Sequence, residues 1–210
     1  MATETAALSA SFPPRSHVQP VRPVGGLNDA ALLVRYSAGE ARAFDELYQR
    51  HRGPLYRYYA RQAPRSVVDD LFQETWLRVI KSAATYEPSA PFAAFLFRIA
   101  HNVLIDHYRR TGRTPELVAD DALDLVDSAP QPSECYAKAE VRARFIAALE
   151  ALPPAQREAF LLHQEAGLTL EQVAAVVGSN FETVKSRLRY AVARLRKLLD
   201  SDASTDRRQA

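Results

Sequence analysis

Five histidines (His17, His51, His101, His107 and His163) and a single cysteine, Cys135, are the side chains with the widest range of chemistry in this sequence. No two of the histidines sit at the His-Glu-x-x-His spacing that holds a catalytic zinc. A lone thiol forms neither an internal disulfide nor a thiolate metal site. The chain also lacks a glycine loop that would cradle phosphates and a nucleophile elbow. The expectation is no catalytic residue, no metal and no cofactor. What remains is binding chemistry, and the charges are arranged for it. Lys185, Arg187, Arg189, Arg194, Arg196 and Lys197 fall in one stretch without an acid. Glu116, Asp120, Asp121, Asp124, Asp127 and Glu134 fall in another without a base. A formal net charge of +2 therefore hides two surfaces of opposite sign.

The basic run belongs to Thr169–Leu195, which reads TLEQVAAVVGSNFETVKSRLRYAVARL. Thr169 caps a short helix, Ala174 is small where two helices cross, and Gly178 supplies a left-handed turn. Val184 follows six residues later. This spacing suits a helix-turn-helix. On a wheel of 100° per residue, Val184, Leu188, Ala191 and Leu195 share the inward arc. Glu182, Ser186, Arg189 and Ala193 lie opposite, flanked by Lys185, Tyr190, Arg196 and Lys197. Small residues at the centre of that face let it approach a DNA groove closely, while Arg196 and Lys197 reach phosphates.

Two further helical patterns carry unusual side chains. Residues 66–81 bury Val67, Val68, Leu71, Phe72, Thr75, Trp76 and Val79, with Ser66 as N-cap and Asp69 and Asp70 in the first turns. Leu77 lies in the middle of the polar arc formed by Asp70, Gln73, Glu74 and Lys81. An apolar side chain rimmed by carboxylates suits a protein-docking patch. Residues 92–110 place Ile99, Val103 and Leu104 inward and project Arg98, His101, Asn102, Asp106, Arg109 and Arg110, with Arg113 just beyond. Tyr86 and Phe92 flank the preceding loop, and aromatics beside a basic helix can hold unstacked bases. Phe95 and Phe97 read as core.

These segments need an all-helical frame, and no alternating strand pattern competes with it. Residues 1–26 hold Pro13, Pro14, Pro20 and Pro23 before Gly25-Gly26 and read as a disordered tail. Asn28 or Asp29 caps a first helix that Gly39 ends. A second runs from Ala41 to about Arg61, interrupted at Gly53-Pro54. The organisation expected is two small helical domains, 27–113 and 134–200, joined by a flexible acidic linker at 114–133. A frayed tail follows at 201–210. No apolar run approaches the roughly 18 residues of a membrane span, and the N-terminus has no signal-peptide pattern, so the expected location is cytoplasmic.

The blocks DDLFQETWLRV, APFAAFLFRIAHNVLIDHYRR and LPPAQREAFLLHQEAGLTLEQVAAVVGSNFETVKSRL resemble the two conserved regions of bacterial sigma factors of the extracytoplasmic-function type. The resemblance covers about residues 27–199. It implies an alternative sigma factor whose N-terminal domain binds the polymerase clamp and opens the −10 element, and whose C-terminal domain reads the −35 element as duplex. Asp69, Asp70, Gln73, Glu74 and Leu77 match the clamp-binding helix. Tyr86, Phe92, Arg98, His101, Asn102, Arg109 and Arg110 match the −10 segment. Thr183, Lys185, Ser186, Arg189 and Tyr190 match −35 contacts, beside Arg196 and Lys197. The implied partners are RNA polymerase core, through its clamp and flap, promoter DNA and, as for many members, an anti-sigma protein. The family often has tryptophan at the position of Phe95 and His-Arg at Arg189-Tyr190. The alternative is a conventional helix-turn-helix regulator of operator DNA. It accounts for 169–197 but not for the Leu77 helix or the −10-like block.

The linker carries a geometric expectation. Residues 114–134 reach at most about 70 Å when fully extended and average about 25 Å as a free coil. Promoter elements more than one turn apart require over about 34 Å between the two domains. The free protein should therefore be more compact than the DNA-engaged one.

Overall fold

The computed structural model describes residues 26–86, 90–112 and 132–209, with backbone alone at 85, 132–139 and 201–209. Two groups of four helices succeed one another. The first comprises α1 (Asp29–Ser37), α2 (Ala41–Ala60), α3 (Arg65–Ser82) and, after a 3-10 turn at Ala83–Thr85, α4 (Phe92–Thr111). The second comprises α5 (Pro132–Glu150), α6 (Pro154–Gln164), α7 (Leu170–Val177) and α8 (Phe181–Gln209). The fold is all-α, as the periodicity requires. The tail at 1–25 and the linker from 113 to 131 lie outside the described residues.

Local chemistry sets most of the boundaries. Asn28 caps α1, its Oδ1 accepting the Ala31 amide at 2.8 Å. Gly39 then turns the chain at φ +97°, a conformation that costs glycine nothing. Four boundaries differ from the sequence reading. α3 starts at Arg65 after Pro64, whose fixed φ prepares the first turn, so Ser66 is inside the helix and Asp69 and Asp70 lie past its first turn. α2 runs unbroken through Gly53-Pro54. Pro54 removes one amide, but Leu47 on one side and Leu55, Tyr58 and Tyr59 on the other are fully buried and hold both halves in line. α5 begins at Pro132, two residues inside the segment assigned to the linker. α8 continues to Gln209 where a frayed tail was expected, since no glycine or proline follows Gly178.

The first group is joined by polar contacts, from the surface inward, as well as by apolar packing. Arg50 donates to Asp29 Oδ1 at 2.7 Å and to the Leu27 carbonyl at 2.9 Å, and His51 Nε2 lies 2.7 Å from Asp29 Oδ2. Burial alone would raise the Asp29 carboxyl, but its hydrogen bonds to Arg50 and His51 outweigh it and hold the pKa below the usual carboxylate value. Deeper in, the Tyr59 hydroxyl sits 2.5 Å from Thr75 Oγ1 and 3.1 Å from the Ala100 carbonyl, and Thr75 donates to the Leu71 carbonyl at 2.9 Å. One side chain of α2 thereby fixes the spacing of α3 and α4. Around it, Phe44, Tyr48, Phe72 and Trp76 form an aromatic layer with ring centroids 5.2–6.4 Å apart.

The second group closes on Leu149, Leu161, Leu162, Val173, Val184 and Ala191, all fully buried. Its turn is the one the spacing calls for. Thr169 Oγ1 accepts the Gln172 amide at 3.3 Å and Gln172 Oε1 accepts the Thr169 amide at 3.0 Å, a reciprocal capping box. Gly178 takes φ +63°, and Asn180 Oδ1 accepts the Thr183 amide at 2.7 Å to start α8. His163 Nδ1 lies 2.7 Å from the Leu168 carbonyl, so this histidine serves the turn. Thr169→Ala removes one half of the capping box and should cost about 1 kcal/mol, read as a lower urea midpoint with unchanged helical circular dichroism.

Candidate nucleic-acid interface

Three helical faces carry the side chains singled out in the sequence. On α8, Val184, Ala191 and Leu195 are buried and Leu188 is half-buried, so the opposite face must point outward. Lys185, Arg189, Tyr190, Arg196 and Lys197 are exposed there, with Thr183 and Ser186 half-buried at the near end. Tyr190 is 54% exposed, unusual for so large a ring. The Arg189 guanidinium lies 5.0 Å from its centroid and donates to its hydroxyl at 3.4 Å. The two side chains thus make a cation–π contact, which restrains the arginine. Lys185 Nζ is shared between Glu182, 3.6 Å away, and the Phe181 ring, 5.7 Å from the centroid. This surface presents cations at two depths, which suits a duplex groove and its phosphate walls.

On α3, the wheel and the structure agree about Leu77. It is 49% exposed, while Val68, Leu71, Thr75, Trp76 and Val79 are buried behind it. Asp69, Asp70 and Gln73 are exposed beside it, and Glu74 is half-buried. Arg78 donates to Glu74 at 2.8 Å and to Asp106 of α4 at 3.1 Å, which ties the rim of the patch to the next helix. Ile80, 38% exposed, extends the apolar spot by one turn. Sequence reasoning missed Ile80 because an isoleucine at that register also suits a core.

On α4, the side chains divide. Arg98, Asn102, Arg109 and Arg110 are exposed and His101 is half-buried. Tyr86 is half-buried, its hydroxyl donating to the Ala90 carbonyl at 3.2 Å, and its ring meets Phe95 at 4.9 Å. Residues 87–89 of the loop between them lie outside the described residues. Phe92 corrects the sequence reading. It is 2% exposed, set against His51 at 5.0 Å and Phe95 at 6.2 Å, and no base can stack on it. As the first residue of α4, it points into the α1–α2 core. Phe97 is buried as expected. Phe95, expected to be core, is only half-buried, and Ile99, assigned to the core stripe, is half-buried too.

The structure also shows a set of contacts that no spacing in the sequence announces. Glu165, at the end of α6, accepts from Arg57 Nε at 2.7 Å and from Arg61, both near the end of α2. Glu158 Oε1 accepts from the Tyr58 hydroxyl at 2.8 Å and lies 2.7 Å from His101 Nδ1. Burial, with the Glu158 charge beside it, pushes the Tyr58 hydroxyl well above its ordinary pKa, so it stays a donor. Between these pairs Arg157 is 4% exposed, and burial lowers its pKa. Separations of about 100 residues in the chain put such pairs beyond any local pattern.

Residues 47–114 match the family model of sigma-70 region 2, and residues 142–195 match that of sigma-70 region 4. The ECF RNA polymerase sigma factor BldN of Streptomyces coelicolor is 32% identical over 174 residues, which are 82% of this chain and 66% of BldN. The ECF RNA polymerase sigma factor SigE of Mycolicibacterium smegmatis is 34% identical over 164 residues, 77% of this chain and 63% of SigE. The chain thus spans just under two thirds of the length of these two relatives. The RNA polymerase sigma factor CnrH of Cupriavidus metallidurans is 32% identical over 184 residues, 83% of this chain and 96% of CnrH. A solved structure of CnrH in complex with the cytosolic domain of CnrY is similar at a TM-score of 0.60 and 30% identity, covering 83% of this chain and 98% of that one.

Leu77 and Phe92 make opposite predictions for stability. Leu77→Asp should stay within about 0.5 kcal/mol of the parent, as exposed substitutions do. Phe92→Ala should cost about 3–5 kcal/mol through the cavity it leaves. Chemical denaturation of the two variants checks both placements.

Proposed function

Because this chain belongs to the extracytoplasmic-function sigma factors of the sigma-70 family, we propose that it is an alternative sigma factor that directs RNA polymerase core to its own promoters. In this reading residues 27–113 bind the clamp and the −10 element. Residues 134–200 bind the −35 element and the flap, and the acidic segment 114–133 spans the distance between them. The protein works by binding, in the cytoplasm, and catalyses no reaction of its own. Among the described residues no helix is long and apolar enough to cross a membrane. CnrH has been solved with the cytosolic domain of CnrY, and on that likeness a regulatory anti-sigma protein is included among the partners.

The observation that carries the reading is the exposed Leu77 among Asp69, Asp70 and Gln73, on a helix whose other face buries Val68, Leu71, Thr75, Trp76 and Val79, with Val67 and Phe72 half-buried beside them. A docking anchor must be apolar, accessible and surrounded by groups that define its partner, and α3 meets all three conditions. The match of residues 47–114 to sigma-70 region 2 favours this over a regulator that ignores polymerase. On α4, Arg98, Asn102, Arg109 and Arg110 serve the opened −10 strand, with His101 and Tyr86 beside them. On α8, Arg189 reads base edges beside Lys185, Ser186, Thr183 and Tyr190, and Arg196 and Lys197 hold phosphates.

Run-off transcription over a promoter library, with core polymerase and this protein, should yield discrete start sites. Leu77→Asp should abolish both those transcripts and core binding while the variant stays folded. Transcription that survives Leu77→Asp would move the docking anchor elsewhere. The two classes of contact on α8 separate by specificity. Arg189→Ala should relax preference at one or two −35 positions, each base contact giving about 1–3 kcal/mol of discrimination. Lys197→Ala should weaken binding to all sequences alike and reduce the salt slope by about one.

A further inference from the structure

We infer that Arg78 is a positioning residue for −10 binding: from α3 it neutralises Asp106, the one carboxylate on the strand-binding face of α4. This rests on the assignment of α4 to the −10 strand. Asp106 is the only acid in Phe92–Thr111, a helix that otherwise carries Arg98, Arg109, Arg110 and two histidines. It lies one turn beyond Asn102 and one turn before Arg109 and Arg110, so a strand following those side chains passes over it. Left alone, its charge would repel the phosphates that its neighbours attract. Arg78 Nη1 reaches it at 3.1 Å from the neighbouring helix.

The guanidinium is held for that task from its other side. Its Nε donates to Glu74 Oε1 at 2.8 Å, one turn back on α3. The hydrogen bond to Glu74 outweighs burial and, with that to Asp106, raises the pKa of Arg78, so the charge is permanent. The pair adds little to folding. Side-chain exposures of 36% for Arg78 and 44% for Asp106 leave both in water, where an ion pair is weak. The spacing of α3 and α4 is set instead by the buried Tyr59 hydroxyl, through Thr75 and the Ala100 carbonyl. What the bridge changes is the surface. A strand laid over Asp106 displaces the water that screens it, and the repulsion grows unless a cation is already in place. Arg110 does not fill that role from within α4. It turns its Nε to the Asp106 backbone carbonyl, 3.4 Å away, and remains exposed for the strand.

The test uses the full chain and a fluorescent pool of single-stranded twelve-mers of random sequence at low salt. Arg78→Gln should weaken binding about tenfold, the order expected when one unit charge is bared within several ångströms of a phosphate. That loss should shrink as salt is raised. Arg78→Gln/Asp106→Asn carries neither charge and should return to within about twofold of the parent, the coupling expected of residues in contact. A role confined to joining α3 to α4 gives the opposite result, because the double variant restores no contact between them. Asp106→Asn alone keeps the arginine and should bind more tightly than the parent. Arg42→Gln removes a charge from the exposed start of α2 and should change nothing. A deficit that persists in the double variant would overturn the inference, and so would full binding by Arg78→Gln, weaker binding by Asp106→Asn, or an equal loss in Arg42→Gln. Undiminished binding by Asn102→Ala/Arg109→Ala would instead place the strand off α4, and with that assignment the inference falls.

Discussion

Two carboxylates, Glu158 and Glu165, decide how the halves of this molecule meet. Each is largely withdrawn from water, and a carboxylate so placed must find donors or become neutral. Glu165 finds Arg57 and Arg61, and Glu158 finds Tyr58 and His101, all in the first group. The polar contacts are therefore mutual obligations, and they place α7 against α4. The Tyr108 hydroxyl at the far end of α4 donates to the Gln62 carbonyl, holding α4 against the end of α2 so that both donor helices present one surface.

Around that joint, each functional face is what remains of a helix after its apolar side has been buried. α3 buries Val68, Leu71, Thr75, Trp76 and Val79, and this leaves Leu77 outside, with Ile80 one turn further on. α8 buries Val184, Ala191 and Leu195 and leaves a face whose side chains are held by one another: Arg189 on Tyr190, Lys185 between Glu182 and Phe181. Holding a long cation before its partner arrives lowers the entropy lost on binding. The same logic explains why the acidic and basic runs of the chain are kept apart. A basic face made to meet phosphate would otherwise be neutralised by its own neighbours.

Much of this was legible in the residues alone. The helix periods, the Asn28 cap, the Thr169–Gly178 turn, the inward arc of α8 and the outward position of Leu77 all follow from interactions within a few residues of one another. Where the sequence reading departs from the structure, distant neighbours intervened. Pro54 looks like a break until Leu47, Leu55, Tyr58 and Tyr59 are seen buried on either side of it. Phe92 looks like a base-stacking ring until α1 and α2 close over it. Phe95 has the composition of a core residue yet is only half-buried, its ring set against Tyr86 and Phe92 at the edge of the cleft it lines with α7.

By itself the sequence determined which segments are helical, which face of each turns inward, and which side chains are left over for binding, because a helix repeats every 3.6 residues and its caps act over three or four. Only the tertiary structure decided which leftovers are accessible. Arg57 and Arg61 meet Glu165, and His101 meets Glu158, across separations of 57 to 108 residues. No local period encodes such a pairing, since it depends on where whole helices come to rest.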